Sequence, residues 1–222
     1  MKLLAIDTST DYLSVAVMDG AKAIARVHRM VPRSHSSLLM PTIDAMLRKA
    51  KLKLKDIDGF CVSIGPGSFT GLRIGVATVK GLAFCTKKPI VTVPTLDVIA
   101  ANAVTSRGIV CVVLDARKNK VYACIYRTDG TKARKVSAIL LTGADTLLEK
   151  LKGYDTVSLV GDYAERLAAM ASGMKIATAR WHPRPDVVGR LGCEAFKKEK
   201  FVSPEKLEPS YIYSKECDIK GR

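Results

Sequence analysis

The sequence predicts a duplicated α/β fold of two lobes, because three features of the first half recur in the second. Each half opens with a short apolar strand that ends in an aspartate, at Asp7 and at Asp115. An Asp-Gly pair follows 12 residues after the first aspartate and 14 after the second, and this pair is typical of a tight hairpin turn. Each half then continues as helix, strand and helix, so the halves are predicted to be copies of one unit.

In the first half, three strands precede a helix. Residues 3–6 form a short apolar run, residues 13–18 alternate, and residues 21–30 return from the turn at Asp19 and Gly20. Apolar residues then recur at three- and four-residue steps, which is typical of one helix face: Leu39, Ile43, Met46, Leu47 and Ala50.

The rest of the first half alternates strands and helices. Pro41 is predicted to kink or restart the first helix, because proline lacks the amide that a helix interior requires. Residues 57–64 and 89–93 are predicted strands, and a helix is expected from the intervening glycines to about Phe84. Thr95 is expected to cap the next helix.

The second half follows the same plan. Its predicted strands are 109–115, 121–126, 132–140 and 157–160, and its predicted helices are 143–150, 161–170 and 186–200.

The polar stretch NAVTSRG separates the two halves. We therefore expect lobes at residues 1–104 and 105–204. The C-terminal segment 205–222 is expected to dock on the first lobe through Tyr211 and Tyr213, which share one face of an extended segment.

Charge and composition limit the function classes. The chain has 36 Lys and Arg against 21 Asp and Glu, a net charge of +15, which favours attraction to polyanions such as RNA or simply keeps the protein soluble. No apolar run approaches the roughly 18 residues that span a bilayer, so a cytoplasmic protein without membrane association is expected. The six cysteines form no CxxC pair and are interpreted as small buried hydrophobic residues.

The stretch GPGSFTGLRIG at residues 65–75 admits three interpretations. A phosphate cradle needs GxGxxG or a GK[ST] ending, and a nucleophile elbow needs glycines two residues on either side of Ser68; neither spacing is present. Gly67, Gly71 and Gly75 instead recur every four residues, which leaves one helix face without side chains. Such a face packs closely either within the chain or against another subunit.

A second candidate feature follows the first strand. Asp7 with Thr8, Ser9 and Thr10 has the composition of a phosphate or Mg²⁺ loop, and equally that of a turn capped by a carboxylate and hydroxyls.

Four segments, in this order, resemble the TsaB family: LLAIDTST, RSHSSLLMPTIDAML, SIGPGSFTGLRIGVATVKGLA and LDARKNKVYACIY. The resemblance spans nearly the whole chain. It implies the duplicated fold of actin-like proteins, sugar kinases and heat-shock ATPases, which is ribonuclease H-like in each lobe. It also implies a bacterial protein that helps to make threonylcarbamoyladenosine in tRNA, as a non-catalytic paralogue and partner of the transferase TsaD. The small ATPase TsaE joins that complex.

The resemblance implies that the partner binds the helices that follow HSSLLMP and GPGSFTG. The contact residues expected from it are His35, Ser36, Leu39, Pro41, Gly67, Ser68, Phe69, Thr70, Gly71, Arg73 and Gly75. A homodimer through the same face, ATP or ADP at the partner interface and tRNA contact through the complex are compatible with this expectation.

No catalytic residue, metal or intrinsic cofactor is expected. A transferase of this fold holds its metal with paired histidines, whereas Val31 and Leu39 stand four residues on either side of His35. The alternative is a small ATPase or kinase that uses Asp7 and the loop of residues 8–10. A metallopeptidase is the weaker alternative, because it also requires paired metal ligands.

Overall fold

The structure is a computed structural model, and it describes residues 1–104, 107–171, 174–176, 181–210 and 212. The elements of the first half are β1 (Lys2–Asp7), β2 (Tyr12–Asp19), β3 (Lys22–Met30), α1 (His35–Lys49), β4 (Gly59–Ser63), α2 (Phe69–Thr86), β5 (Ile90–Val93) and α3 (Thr95–Asn102). The elements that follow are β6 (Arg107–Arg117), β7 (Lys120–Asp129), β8 (Ala133–Lys135), β9 (Leu140–Gly143), α4 (Ala144–Leu151), β10 (Val157–Val160), α5 (Ala164–Ala169), β11 (Met174–Ile176), α6 (Pro185–Lys197) and β12 (Phe201–Val202).

The strands form two sheets with equivalent topology. The first sheet has the order β12-β5-β4-β1-β2-β3, and the second has β11-β10-β6-β7-β8, with β9 also paired to β7. In each sheet the central strand, β1 or β6, pairs antiparallel with the hairpin strand that follows it, β2 or β7. It pairs parallel with the strand that comes after the first helix of that half, β4 or β10. The predicted duplication and the actin-like fold class are confirmed by this matched strand order.

Five layers stack through the molecule, and four apolar clusters join them. Helices α1 and α2 cover the outer face of the first sheet, where Leu39 of α1 packs with Ile6 of β1. Helices α3 and α6 lie between the two sheets. Helices α4 and α5 cover the outer face of the second sheet, where Leu147 packs with Cys111. The two outer helical layers are therefore on opposite sides of the molecule.

Two predictions about helix ends are wrong. The first helix does not restart at Pro41, because α1 begins six residues earlier, at His35, and continues through the proline to Lys49. Thr95 is not the cap of α3. The carbonyl of Pro94 accepts the first helical hydrogen bonds, from Asp97 and Val98, so Pro94 occupies the cap position.

The strand predicted at 132–140 is divided into β8 and β9, which both pair with β7. At the break, the hydroxyl of Ser137 accepts a hydrogen bond from the amide of Ile125. A side chain there replaces a backbone partner, which ends the regular ladder. The last helix also ends earlier than predicted, at Lys197.

The prediction that the cysteines are buried is wrong at one position. Cys85 is exposed because it lies on the outward side of α2, whereas four others are buried: Cys61, Cys111, Cys124 and Cys193. Cys217 lies outside the described residues.

The chain returns to the first sheet after α6. Strand β12 pairs antiparallel with β5, and Leu207 packs into the apolar cluster beneath α1 and α2. The amide of Ser210 donates a hydrogen bond to the carbonyl of Ile64 at 2.7 Å. Tyr211 and Tyr213, which were expected to make this contact, lie outside the described residues, and the lobe limits stay predictions.

Candidate functional site

The candidate site lies where β1 ends and α2 begins. Asp7 is completely buried, and its Oδ1 accepts hydrogen bonds from the amide and the hydroxyl of Ser9, both at 2.9 Å. Asp7 Oδ2 and Ser63 Oγ are buried without a hydrogen bond of standard geometry among the described residues. The carboxyl group therefore closes a local turn inside the fold, and only one of its two oxygens has a partner there.

Burial raises the pKa of Asp7, because a charged carboxylate is poorly solvated inside the protein. Part of this shift is offset by the Ser63 hydroxyl, which acts on the carboxyl group although its geometry is not that of a standard hydrogen bond, by the hydrogen bonds from Ser9 and by the charge of His35. The carboxyl group is consequently harder to ionise than an exposed aspartate.

Gly71 and Gly75 of α2, and Gly67 just before the helix, pack on the turn that Asp7 forms. The predicted stripe of three glycines on one helix is therefore wrong for Gly67, because α2 begins at Phe69. A Cβ atom at Gly71 would overlap the carbonyl oxygen of Thr8, one at Gly75 would overlap the Thr8 hydroxyl, and one at Gly67 would overlap the carbonyl oxygen of Ser9. Thr8 Oγ1 donates a hydrogen bond to the Gly71 carbonyl at 2.7 Å. The glycines are therefore required for close packing within the chain, which was one of the two interpretations that the sequence left open.

Besides the glycines, two side chains of the expected contact set face inward. His35 is the first residue of α1, is only 6% exposed, and its Nε2 lies 3.4 Å from the carbonyl oxygen of Tyr12. Leu39 is 1% exposed and belongs to the core beneath α1. Neither side chain is placed to contact another protein, because helix phase turns both toward the first sheet.

The remaining side chains of the set lie on the surface. Ser68 accepts a hydrogen bond from the Gly71 amide and so caps α2, with its own amide donating to Ser9. The guanidinium carbon of Arg73 lies 3.9 Å from the centre of the Phe69 ring, which is 55% exposed. Cation and ring stack there on the first turns of α2.

Helices α1 and α2 begin beside the same segment, because His35 contacts Tyr12 and Ser68 contacts Ser9. Their exposed residues form one surface, called here the α1–α2 face: Ser36, Met40, Pro41, Phe69, Thr70 and Arg73. Met40, 48% exposed, was missed in the sequence, because a methionine inside an apolar helical run gives no sign of pointing outward.

All three histidines of the chain lie around Tyr12. The His28 ring stacks on the Tyr12 ring at a centroid distance of 4.6 Å, and the His182 ring packs against it at 4.2 Å with a tilt of 39°. His35 contacts the Tyr12 carbonyl. Ser14 Oγ lies 2.8 Å from His28 Nδ1 and donates its proton to the carbonyl of Pro183. Since that proton is already donated to Pro183, the Ser14 and His28 pair links chain segments and is not arranged as a nucleophile with its base.

The pKa of His28 is lowered by its burial and by the charges of His182 and Arg184.

The equivalent position in the second sheet has local roles. Asp115 Oδ1 accepts a hydrogen bond from the Arg117 amide, and Asp162 Oδ1 accepts one from the Asp115 amide, both at 2.8 Å. A Cβ atom at Gly161 would overlap the carbonyl oxygen of Val113, so this glycine permits close packing of two backbones.

Among the described residues, no three His, Cys, Asp or Glu side chains are grouped so that they could hold a metal ion. No helix in that part of the chain has the length and apolar character needed to cross a membrane.

Comparison with known proteins extends these observations. The family model of TsaD, tRNA N6-adenosine threonylcarbamoyltransferase, matches residues 26–204. The tRNA threonylcarbamoyladenosine biosynthesis protein TsaB of Bacillus subtilis is 30% identical, over 99% of this chain and 97% of its own, and that of Escherichia coli is 29% identical, over 96% and 94%. The solved structure of YeaZ from Pseudomonas aeruginosa superposes with a TM-score of 0.78 at 26% identity, covering 95% of this chain and 99% of that one.

The resemblance predicted from the four sequence segments is thereby confirmed, and it extends along almost the entire chain. The chain belongs to the TsaB family of tRNA threonylcarbamoyladenosine biosynthesis proteins.

Proposed function

We propose that the chain is a non-catalytic subunit that binds a TsaD-like transferase through the α1–α2 face. It allows that enzyme to transfer a threonylcarbamoyl group to the adenine next to the tRNA anticodon. The observation that carries the proposal is the combination of a closed Asp7 turn with an exposed, partly apolar helical surface directly above it.

The closed turn supports a non-catalytic role. A nucleotide or metal at the end of β1 would need access to Asp7 and the hydroxyls that follow it. Asp7 and Thr8 are 0% exposed and Ser9 is 1% exposed, and the backbone of α2 lies on them without space for a methyl group. Ligand binding there would require α2 to separate from β1.

The α1–α2 face supports partner binding. Met40 and Phe69 are large apolar side chains that are about half exposed, and Arg73 beside them is of a type enriched at protein interfaces. The glycines beneath the face hold α2 close to β1, so they shape the surface from below while the neighbouring side chains form it.

The complex in this proposal has further members. A TsaE-like ATPase joins it, ATP or ADP binds at the interface between subunits, and tRNA is bound by the whole complex. The same α1–α2 face supports a homodimer when the partner is absent. Because the substrate is tRNA, the proposed location is the cytoplasm.

The test uses exposed residues, because arginine at Gly71 or Gly75 would disrupt α2 packing as well as any interface. Met40→Asp and Phe69→Asp are each expected to weaken binding to the TsaD-like transferase of the same organism by about ten-fold or more, since an interface that buries a carboxylate must desolvate it. Isothermal titration calorimetry gives the dissociation constants.

Met170→Asp is the matched control, because Met170 is 47% exposed and follows α5 on the opposite outer layer. It is expected to bind like the wild type. Unchanged affinity of both α1–α2 variants, or equal loss in the control, would contradict the proposed interface.

A further inference from the structure

Three arginines surround a cavity at the outer edge of the second sheet. The cavity has a volume of about 770 Å³, and its lining includes Arg107, Arg127, Arg134 and Tyr154, which are called here the arginine cradle. All three arginine side chains are exposed, and Tyr154 is half buried against the cluster beneath α4 and α5.

Strand register places the arginines on one face of the sheet. Arg127 of β7 lies directly opposite Arg134 of β8 and, on its other side, opposite Ile109 of β6. Residues opposite one another in an antiparallel pair share a face, and Arg107 shares it too because it is two residues from Ile109. Ile109 packs in the α4 and α5 cluster, so the cradle lies on the outer side of the second sheet.

The positive charges of the cradle are only partly compensated within the chain. Arg107 lies directly opposite Asp129 across β6 and β7, and the charge of Arg134 contributes to the lowered pKa of that carboxyl. Like charges directly opposite across a strand pair are unfavourable, yet Arg127 faces Arg134. Among the described residues, none of the three arginines forms an ion pair within 4 Å.

Two carboxylates, those of Asp129 and Asp155, also line the cavity. Asp129 Oδ1 already accepts hydrogen bonds from the amide and hydroxyl of Thr131 and the amide of Lys132, which hold its pKa well below the usual range. The hydrogen bonds of Asp129 hold it in the turn, and none of the three guanidinium groups lies within 4 Å of a carboxylate oxygen among the described residues. The three groups are therefore available to a ligand with several anionic oxygens.

We infer that the arginine cradle binds the phosphodiester backbone of RNA. Guanidinium groups pair with phosphate oxygens through two parallel hydrogen bonds, and an aromatic ring beside them suits an unstacked base. The choice of RNA over other polyanions rests on the proposed function in tRNA modification. The cradle lies on the outer layer opposite the α1–α2 face, so RNA and a partner protein can bind at the same time.

The test measures binding of a tRNA transcript to the full-length chain alone, by fluorescence anisotropy over a range of salt concentrations. The double variant Arg127→Ala/Arg134→Ala is expected to bind about ten-fold more weakly. The negative slope of log association constant against log salt concentration is expected to become smaller in magnitude by about 1 to 2, because roughly one fewer counterion is released for each arginine removed. The control Arg29→Ala/Lys55→Ala removes the same charge from exposed positions on the first half of the chain. It is expected to retain the wild-type affinity within about two-fold, since only the long-range attraction changes.

Equal losses in both double variants would mean that net charge alone attracts RNA, and would overturn the inference. Loss of ATP binding in the arginine variant without any change in RNA binding would also overturn it, because the cavity would then be a nucleotide site. Because no partner protein is present, the result is independent of whether the α1–α2 face binds a transferase.

Discussion

At the scale of single residues, the environment of Asp7 indicates whether the end of β1 could bind a nucleotide or metal ion. Its carboxyl group is fully buried, with Oδ1 bonded to Ser9 and Oδ2 without a hydrogen-bond partner in the described part of the chain. A buried carboxyl of this kind is costly to ionise. Its geometry is that of a turn-forming residue, and its raised pKa gives that role a measurable consequence.

The contribution of Asp7 to wild-type stability is expected to decrease as pH rises above about 3.8, the pKa of an unperturbed aspartate. The unfolded chain loses the Asp7 proton first, so the decrease continues until the pH exceeds the raised folded pKa and then stops. Asp7→Asn should remove this part of the pH dependence and be at least as stable as the wild type at pH 7, because the amide oxygen keeps the Ser9 hydrogen bonds. Urea unfolding at a series of pH values measures both effects, and an equally steep decrease in the variant would show that Asp7 is not responsible.

The hydroxyls and glycines around Asp7 show what the sequence could predict at this scale. The spacing of Gly67, Gly71 and Gly75 predicts a stripe without side chains, but not which surface meets it. That surface is the segment of Thr8 and Ser9, and Thr8 is 63 residues from Gly71 in the chain. Long-range contacts of this kind depend on how β1 and α2 pack, which periodicity alone does not specify.

At the scale of elements, α2 has two different faces. Its inner face is held against the turn after β1 by Gly71 and Gly75, while Gly81 faces open space with nothing within 4 Å of a Cβ atom. Phe84 and Cys85 lie on the outward side of the same helix. The glycines of α2 therefore have different structural roles, and alanine substitutions at these positions should have different effects on stability.

Gly71→Ala is expected to destabilise the protein by about 1–3 kcal/mol. The added methyl group overlaps the Thr8 carbonyl and cannot be accommodated unless α2 moves. Gly81→Ala should instead stabilise it by about 0.4–1 kcal/mol, since alanine restricts the unfolded chain and favours the helix. Urea denaturation of the two variants gives both values. Similar effects of the two substitutions would contradict the packing of α2 on Thr8.

Most elements were predictable, and the exceptions have physical causes. Strands and helices with a clear apolar pattern, such as β1, α4 and β10, were predicted within one residue of their observed bounds. The division of the strand predicted at 132–140 was not predictable, because it depends on a hydrogen bond from Ile125 to the hydroxyl of Ser137. The arginine cradle was missed for a related reason: Arg127 and Arg134 become neighbours only once the turn length and register are known.

At the scale of the whole molecule, the five layers place the two proposed binding surfaces on opposite sides and the helices that join the sheets between them. The α1–α2 face lies on one outer layer, the arginine cradle on the other, and α3 with α6 joins the two sheets. The sheets are also tied by polar contacts, since Tyr126 donates a hydrogen bond to Asp97 of α3 at 2.6 Å and Lys135 pairs with the same carboxylate at 2.9 Å. A protein built in this way can position a partner on one side without opening the turn at Asp7.

The most direct test of a non-catalytic subunit is threonylcarbamoyl transfer to a tRNA transcript by purified TsaD-like and TsaE-like proteins. The reaction is measured without this chain, with the wild-type chain, and with its Asp7→Asn variant. We expect transfer to require the chain and to proceed equally well with the variant, because the buried carboxyl takes no part in the reaction. Loss of transfer with a correctly folded Asp7→Asn chain would reveal a working site at the end of β1, and transfer that is unchanged without the chain would contradict its role in the complex.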